Sequence, residues 1–316
     1  MNTALTATAA ASFAGRIAPS RAQGDGQAPF LSPQLKIATV QMNALKGNLE
    51  HNLGVHRRFI REAAAAGCGL IMFPELSVTA HFAGESATES AENVSTGRIY
   101  QALLAEAAAH RILVAYGFCE SAHGTFYNSC ALVGPDGLIG VHRKVHPSRD
   151  EYTHFRMGRS LEIFEVGEWN IGILICYDAN FFEAWRVLAI KGADLLLLPH
   201  AGRSGPGVEL TVEEQKRHLT GVFERMPGRY GVYAADNCVY AVYGNQIGYN
   251  GHSTHSGGAY IAGPDGKLRV KSKPTVEDHW ISAEIDKALQ YKCRNSPNST
   301  LKDRRPEMYG ELVKMM

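Results

Sequence analysis

The chain has 316 residues, with 32 Lys+Arg against 31 Asp+Glu and a formal net charge of +1 at pH 7. A polyanion binder needs a basic excess or a basic cluster, and no run of five like charges occurs, so nucleic-acid and membrane-surface roles are disfavoured at once. At 45% hydrophobic and 20% charged, the composition is that of a globular protein able to bury a core without staples.

Residues 1–34 stand apart, with nine alanines, Arg16 and Arg21 against the single acid Asp25, and a Gly/Pro/Gln-rich exit. Such an acid-poor head is compatible with an organellar targeting peptide or with a disordered extension, and we place it outside the fold. From 35 onward strands and helices alternate. Residues 35–42 (LKIATVQM) read as a strand, and 48–66 as a helix with apolar Leu49, Leu53, Phe59 and Ile60, stopped by Gly67. Residues 70–73 form a short apolar strand running into Pro74-Glu75. A helix over 99–110, a strand over 112–118, a strand over 171–176, a helix over 181–191 ended by Gly192, and the buried strand 194–198 (DLLLL) continue the rhythm. This pattern predicts an α/β fold with both sheet faces covered.

Two segments look alike: 131–144 (ALVGPDGLIGVHRK) and 259–273 (AYIAGPDGKLRVKSK) both set Pro-Asp-Gly between strand-like runs. Each reads as a β-hairpin, and together they suggest two sheets or two related halves. The segment 202–227 opens on a Gly/Ser/Pro-rich loop and leads into a helix with Val212, Leu219, Phe223 and Met226 at helical spacing. That segment is either a surface excursion on the sheet or a lid over the site. After Leu289 the tail is polar, broken by Pro297 and Pro306, and expected to be extended. The domain reading is therefore a head (1–34), a catalytic domain (35–290) and a C-terminal extension (291–316).

Six cysteines, at 68, 119, 130, 176, 238 and 293, show no C-x-x-C spacing, which suits reduced thiols in a cytosol-like compartment. Two loose histidine groups, His142/His146/His154 and His252/His255, lack a nearby Cys or an H-E-x-x-H pattern, so neither a metal nor another cofactor is expected. The longest apolar stretches, about eight residues, are too short for a bilayer span.

Chemistry concentrates at strand ends. Cys176 follows an apolar strand and precedes a helix start, where free backbone N–H groups and the helix field favour a thiolate and a developing anion. Glu75 stands directly after the 70–73 strand, where burial of a charge calls for a partner or a task and an apolar setting suits a general base. Lys144 closes the first hairpin and can serve as a fixed cation against an oxyanion. Glu151 lies seven residues further on in an aromatic-flanked loop.

Phe73-Pro74-Glu75-Leu76, Arg143-Lys144-Val145-His146 and Ile175-Cys176-Tyr177-Asp178, with Glu183 downstream, closely resemble the nitrilase (carbon–nitrogen hydrolase) superfamily. Gly192-Ala193-Asp194, the 233–237 segment with Tyr240 and Asn245-Gln246, and Gly257-Gly258-Ala259 extend the resemblance over about residues 35–285. It implies a four-layer α-β-β-α sandwich and a Glu–Lys–Cys triad: Glu75 as general base, Lys144 as oxyanion stabiliser and Cys176 as nucleophile. Glu151 matches the family's second glutamate approximately, and the Tyr177 N–H is a candidate oxyanion donor. Asp178, two residues after the Cys, favours the amide- and carbamoyl-cleaving branch, with nitrile hydrolysis as the alternative within the family and an idle binding or scaffold protein as the alternative outside it. Ala179-Asn180 stand where carbamoyl amino acid hydrolases often carry Arg, which weakens the expectation of a carboxylate substrate unless Arg186, Arg203 or Arg229 substitutes. His81 occupies a pocket-wall position where relatives often have Tyr. Phe181 and His200 are further candidates for lining the substrate cavity. The resemblance also implies a homodimer or larger homo-oligomer, a small amide, carbamoyl or nitrile substrate, and a cytoplasmic enzyme unless residues 1–34 direct import.

Overall fold

The computed structural model describes residues 31–81, 89–203 and 209–314. Most of the head expected at 1–34 lies outside the described residues, but its last residues pack on the domain. Leu31 is buried between the sheets, and the Trp169 indole donates to the Ser32 carbonyl at 2.8 Å.

The first half builds one six-stranded sheet. Its strands are β1 (Gln34–Gln41), β2 (Leu70–Met72), β3 (Leu113–Ala122), β4 (Thr125–Gly134) and β5 (Gly137–Arg143), and β14 (His279–Asp286) returns to the edge, giving the order β14-β1-β2-β3-β4-β5. The second half builds β6 (Ile163–Val166), β7 (Trp169–Ile173), β8 (Leu195–His200), β9 (Tyr240–Asn245), β12 (Ala259–Ala262) and β13 (Leu268–Lys271), in the order β13-β12-β9-β8-β7-β6. A short ribbon, β10 (Ile247–Tyr249) with β11 (Thr254–Ser256), stands apart. In each sheet the central three strands, β1-β2-β3 and β7-β8-β9, are parallel, and a Pro-Asp-Gly hairpin supplies antiparallel strands toward one side. The two look-alike hairpins do belong to different sheets.

Alternation along the central strands sorts the layers. Leu70 and Met72, Leu113 and Ala115, Ile171 and Ile173, and Leu195 and Leu197 point into one apolar layer between the sheets. Their neighbours point outward. Ile71, Val114 and Tyr116 meet α1 (Leu49–Ala65) and α2 (Arg98–His110), whereas Leu196 and Leu198 meet α3 (Phe182–Lys191) and α4 (Val212–Asn237). Strands buried on both faces read as continuous apolar runs, which is why 70–73 and 194–198 look as they do. The result is the expected α-β-β-α sandwich.

Two elements differ from expectation. Helix α4 does not stop at Pro227 but continues to Asn237, so the 233–237 segment is its last turn. A proline removes one backbone donor, and burial of Tyr230 and Ala234 against the second sheet outweighs that loss. The tail is not simply extended. It forms α5 (Lys287–Arg294) and two 3-10 turns, and Thr300 Oγ1 donates to the Asp236 carbonyl at the end of α4. As for the expected lid, residues 204–208 lie outside the described residues, and Leu219 on α4 packs on Ile247 of the ribbon. Among the described residues no helix is long and apolar enough to cross a membrane.

One close approach sets the site. A Cβ at Gly117 in β3 would lie 2.2 Å from the Leu76 nitrogen and 2.6 Å from the Pro74 carbonyl, so only glycine lets the strand press against the Glu75 turn. Gly117→Ala should therefore cost about 1–3 kcal/mol by overpacking, read by urea denaturation. Because the displaced backbone carries Glu75, we expect activity to fall more than the loss of folded protein explains.

Candidate active site

The parallel strands of both sheets end on the same side, and the chemistry sits there. Glu75 follows β2, Lys144 follows β5, Cys176 follows β7, and Glu151 lies on a 3-10 turn, Arg149–Thr153. Lys144 is buried at 1% exposure, although lysine is among the residues least often found inside. Its ammonium lies 2.6 Å from Glu75 Oε1 and 2.7 Å from Glu151 Oε2. Asn128 on β4 joins the two acids, donating from Nδ2 to Glu75 Oε1 and to Glu151 Oε1 at 2.8 Å each. Ser148 adds its backbone N–H at 2.6 Å and its hydroxyl at 2.9 Å to Glu151 Oε2, closing a capping box. The Gln246 amide donates to the Glu75 carbonyl at 2.7 Å, tying the end of β9 to the same turn.

These contacts fix the charges. Burial by itself would depress the Lys144 ammonium, but the charges of Glu75 and then Glu151 more than reverse this and hold it well above its ordinary range. Burial would raise Glu151, yet Lys144 and then His81 hold it well below the usual carboxylate range. For Cys176 burial dominates, and Glu75 adds to it, pushing the thiol well up while Lys144 offsets part of the rise. The resting sulfur is therefore a thiol, and any attack by it would need a base. Glu75 can be that base. Its Oε1 is taken by Lys144 and Asn128, whereas its buried Oε2 has no hydrogen-bond partner among the described residues.

Cys176 opens a 3-10 turn, Cys176–Asn180, with φ 49°, a left-handed conformation that a non-glycine residue adopts only when its surroundings impose it. Asp178 supplies the constraint. Its buried carboxylate accepts from the Ile175 N–H at 3.2 Å, the His146 N–H at 2.8 Å, His146 Nδ1 at 2.8 Å and His142 Nε2 at 3.2 Å. One carboxylate thus locks the nucleophile turn to the Lys144 strand. Burial would raise Asp178, but the His142 and His146 hydrogen bonds keep it well below the usual carboxylate range.

The expected cavity residues fare differently. His81 is buried beside the acids, its Nε2 3.4 Å from Glu151 Oε1. Glu75, His81 and Glu151 could offer a metal three ligand atoms within 4.8 Å of one another, but the Lys144 ammonium already takes the cation's place between the two acids. Phe181 stacks on the His146 ring at 4.0 Å and meets the half-exposed Tyr177 edge-on at 5.2 Å, forming an aromatic rim beside Cys176. His200 offers no polar group to a ligand. Its Nδ1 faces the Leu198 carbonyl at 2.9 Å and its Nε2 faces the Tyr230 hydroxyl at 3.1 Å, and burial pushes it down to about 4. Asn128 escaped the sequence reading. Its only signal there is an amide amid apolar residues in a strand, which shows no chemistry until the fold brings Glu75 and Glu151 to it.

Removing the shared cation would leave two buried carboxylates facing each other. Lys144→Met should cost about 3–5 kcal/mol in urea unfolding, with part recovered in Lys144→Met/Glu75→Gln. Acid should act through Glu151 and Asp178. Both are depressed on folding, so the stability they contribute is present above the ordinary carboxylate range and is lost as pH falls below it. Thermal melts between about pH 6 and pH 3 should drop less steeply for Asp178→Asn than for the parent chain.

Comparisons with known proteins bear on the family and the fold. Among curated proteins, the chain is 29% identical over 283 residues to a probable nitrilase of Schizosaccharomyces pombe, covering 88% of this chain and 98% of that one. It is 30% identical over 285 residues to a nitrilase of Pyrococcus abyssi, covering 87% and 99%. It is 28% identical over 282 residues to an (R)-stereoselective amidase of a Pseudomonas species, covering 88% and 94%. Among solved structures, a carbon-nitrogen hydrolase from Helicobacter pylori superposes with a TM-score of 0.74 at 21% identity, covering 89% of this chain and 99% of that one. An amidase from Nesterenkonia sp. superposes with a TM-score of 0.70 at 20% identity, covering 88% and 96%, which supports the shared fold. The carbon-nitrogen hydrolase family model matches residues 36–295, and the chain belongs to that family.

Proposed function

We propose that this hydrolase releases ammonia from a small amide or carbamoyl compound through a thioester on Cys176. The supporting observation is the buried Lys144 ammonium bridging Glu75 and Glu151 beside a thiol whose proton is hard to lose unaided. Glu75 Oε2 takes the thiol proton as the sulfur attacks the carbonyl carbon. An ammonium has three N–H donors, and two are spent on Glu75 and Glu151, so the third can meet the oxyanion together with the Tyr177 backbone N–H. As the tetrahedral adduct collapses, Glu75 returns the proton to the leaving nitrogen. Water, deprotonated by the same carboxylate, then splits the thioester and restores the thiol. Glu151 stays ionised throughout and holds Lys144 charged, and His81 steadies Glu151 from the other side.

No cofactor takes part in this scheme, and no nucleic acid or membrane enters it. The assembly we propose is a homodimer through the outer face of α3 and α4 and the tail. Ile190, Val232, Leu312 and Val313 are 52%, 58%, 66% and 85% exposed there and give that face an apolar character. Six unpaired cysteines suit a reducing, cytoplasm-like compartment.

Nitrile hydrolysis is the competing reading, favoured by relatives that carry that name. Ammonia release from a panel of amides, ureides and nitriles separates the two, and activity on nitriles alone overturns the amide assignment. Cys176→Ala should abolish turnover, and Glu75→Gln should slow it by about 10²–10⁴-fold. Mass spectrometry should find the acyl group on Cys176. If iodoacetamide alkylates Cys176 no faster than the other cysteines, the chain is a binding protein instead.

A further inference from the structure

A cleft of about 830 Å³ opens beside the site, lined by His123, Tyr127, His146, Arg156 and Arg159 among others. It contains four basic side chains and no carboxylate. Two of the four are arginines, which stay charged, and the described residues give His146 the Asp178 carboxylate at 2.8 Å but give the arginines no counter-charge. Among the described residues, neither the Arg156 nor the Arg159 guanidinium has a hydrogen-bond or ion-pair partner, and both residues are exposed. Nearby acids are already engaged: Glu120 holds Arg143 through two hydrogen bonds, at 2.8 and 2.6 Å, and Glu162 holds Lys191 at 2.9 Å.

The cleft adjoins the chemistry. The Gly158 N–H donates to the Lys144 carbonyl at 2.7 Å and the Arg156 N–H to the Phe126 carbonyl at 2.9 Å, so the segment bearing both arginines is pinned along the Lys144 strand. His146 lines the cleft and stacks on Phe181, which touches Tyr177, the residue after the nucleophile. Strand β3 presses Gly117 on the Glu75 turn and runs on to Ala122, so the His123-Gly124 turn stands beyond Glu75 on the same side as Cys176. Of the three arginines proposed from sequence as carboxylate holders, none lines this cleft, and Arg203 forms a β-bridge with His255. Arg229 is tied to Asn180 at 3.2 and 3.0 Å, and Arg186 lies over Phe182 in the outer groove with the tail.

We propose that Arg156 and Arg159 form a subsite for a carboxylate carried by the substrate away from the scissile bond, so that the enzyme prefers an anionic amide to a neutral one. A guanidinium fork pairs with a carboxylate through two hydrogen bonds, and two forks in one cleft suit a small organic acid. The inference rests on the amide reading of Cys176, and the experiment keeps the two apart. Ammonia release would be measured for succinamate and for butyramide, which differ in the terminal carboxylate. The ratio of their kcat/KM values should favour succinamate and should fall by roughly tenfold or more in Arg156→Ala/Arg159→Ala, chiefly through KM. Raising salt should shrink the same ratio. Calorimetry on Cys176→Ala reads binding without chemistry, and there succinamate should bind more tightly than butyramide. Succinamate binding without turnover by the parent enzyme would sink the amidase reading and keep the subsite. Equal binding of the two compounds, or a ratio unmoved by the double substitution, would overturn the subsite.

Discussion

A single buried ammonium organises this molecule. Lys144 stands between two carboxylates that the fold brings together at 1–3% exposure, and it holds Glu151 well below the usual carboxylate range. The arrangement depends on the surrounding donors as much as on charge. Asn128 bridges the acids, Ser148 caps Glu151 and His81 flanks it, so both Glu151 oxygens are satisfied. Glu75 Oε2, like Asn128 Oδ1 and His81 Nδ1, has no hydrogen-bond partner among the described residues, and it is the atom the proposed reaction uses. The ion pairs and the Asn128 bridge hold the geometry, and the free Glu75 oxygen is open where the proposed proton transfer needs it.

The double sheet makes this placement possible. Parallel strands send their C-terminal ends to one side, and two such sheets packed face to face bring two sets of strand ends together. One set carries Glu75 and the other carries Cys176. β1 and β9 clasp the sheets at that end, with Thr39 Oγ1 donating to the Tyr243 carbonyl at 3.0 Å and the Ile247 N–H donating to the Met42 carbonyl at 3.0 Å. Asp178 then sets the finer geometry. It holds the Ile175 N–H beside the left-handed Cys176 and both histidines of the Lys144 segment, so strain at Cys176 is offset by hydrogen bonds to an ionised group.

Much of this was legible from the chain alone. Apolar runs closed by Glu75 and Cys176 mark strand ends, and repeated Pro-Asp-Gly turns mark two hairpins, because those features are local. The α4 boundary was misplaced since Pro227 is a local signal that the packing of Tyr230 and Ala234 overrides. The tail looked unstructured because its contacts, such as Thr300 with Asp236, are made with elements remote in sequence.

The sequence by itself determined the residue types and their order: a carboxylate after one apolar strand, a lysine after a hairpin and a cysteine after another strand. Those are set by backbone periodicity and side-chain chemistry. Only the tertiary structure decided that Lys144 lies between two acids, that Asn128 joins them, that His200 is committed to Tyr230, and that two unpaired arginines share a cleft beside the nucleophile turn. Distances and burial between residues far apart in the chain fix charge states and free donors, and no local pattern encodes them.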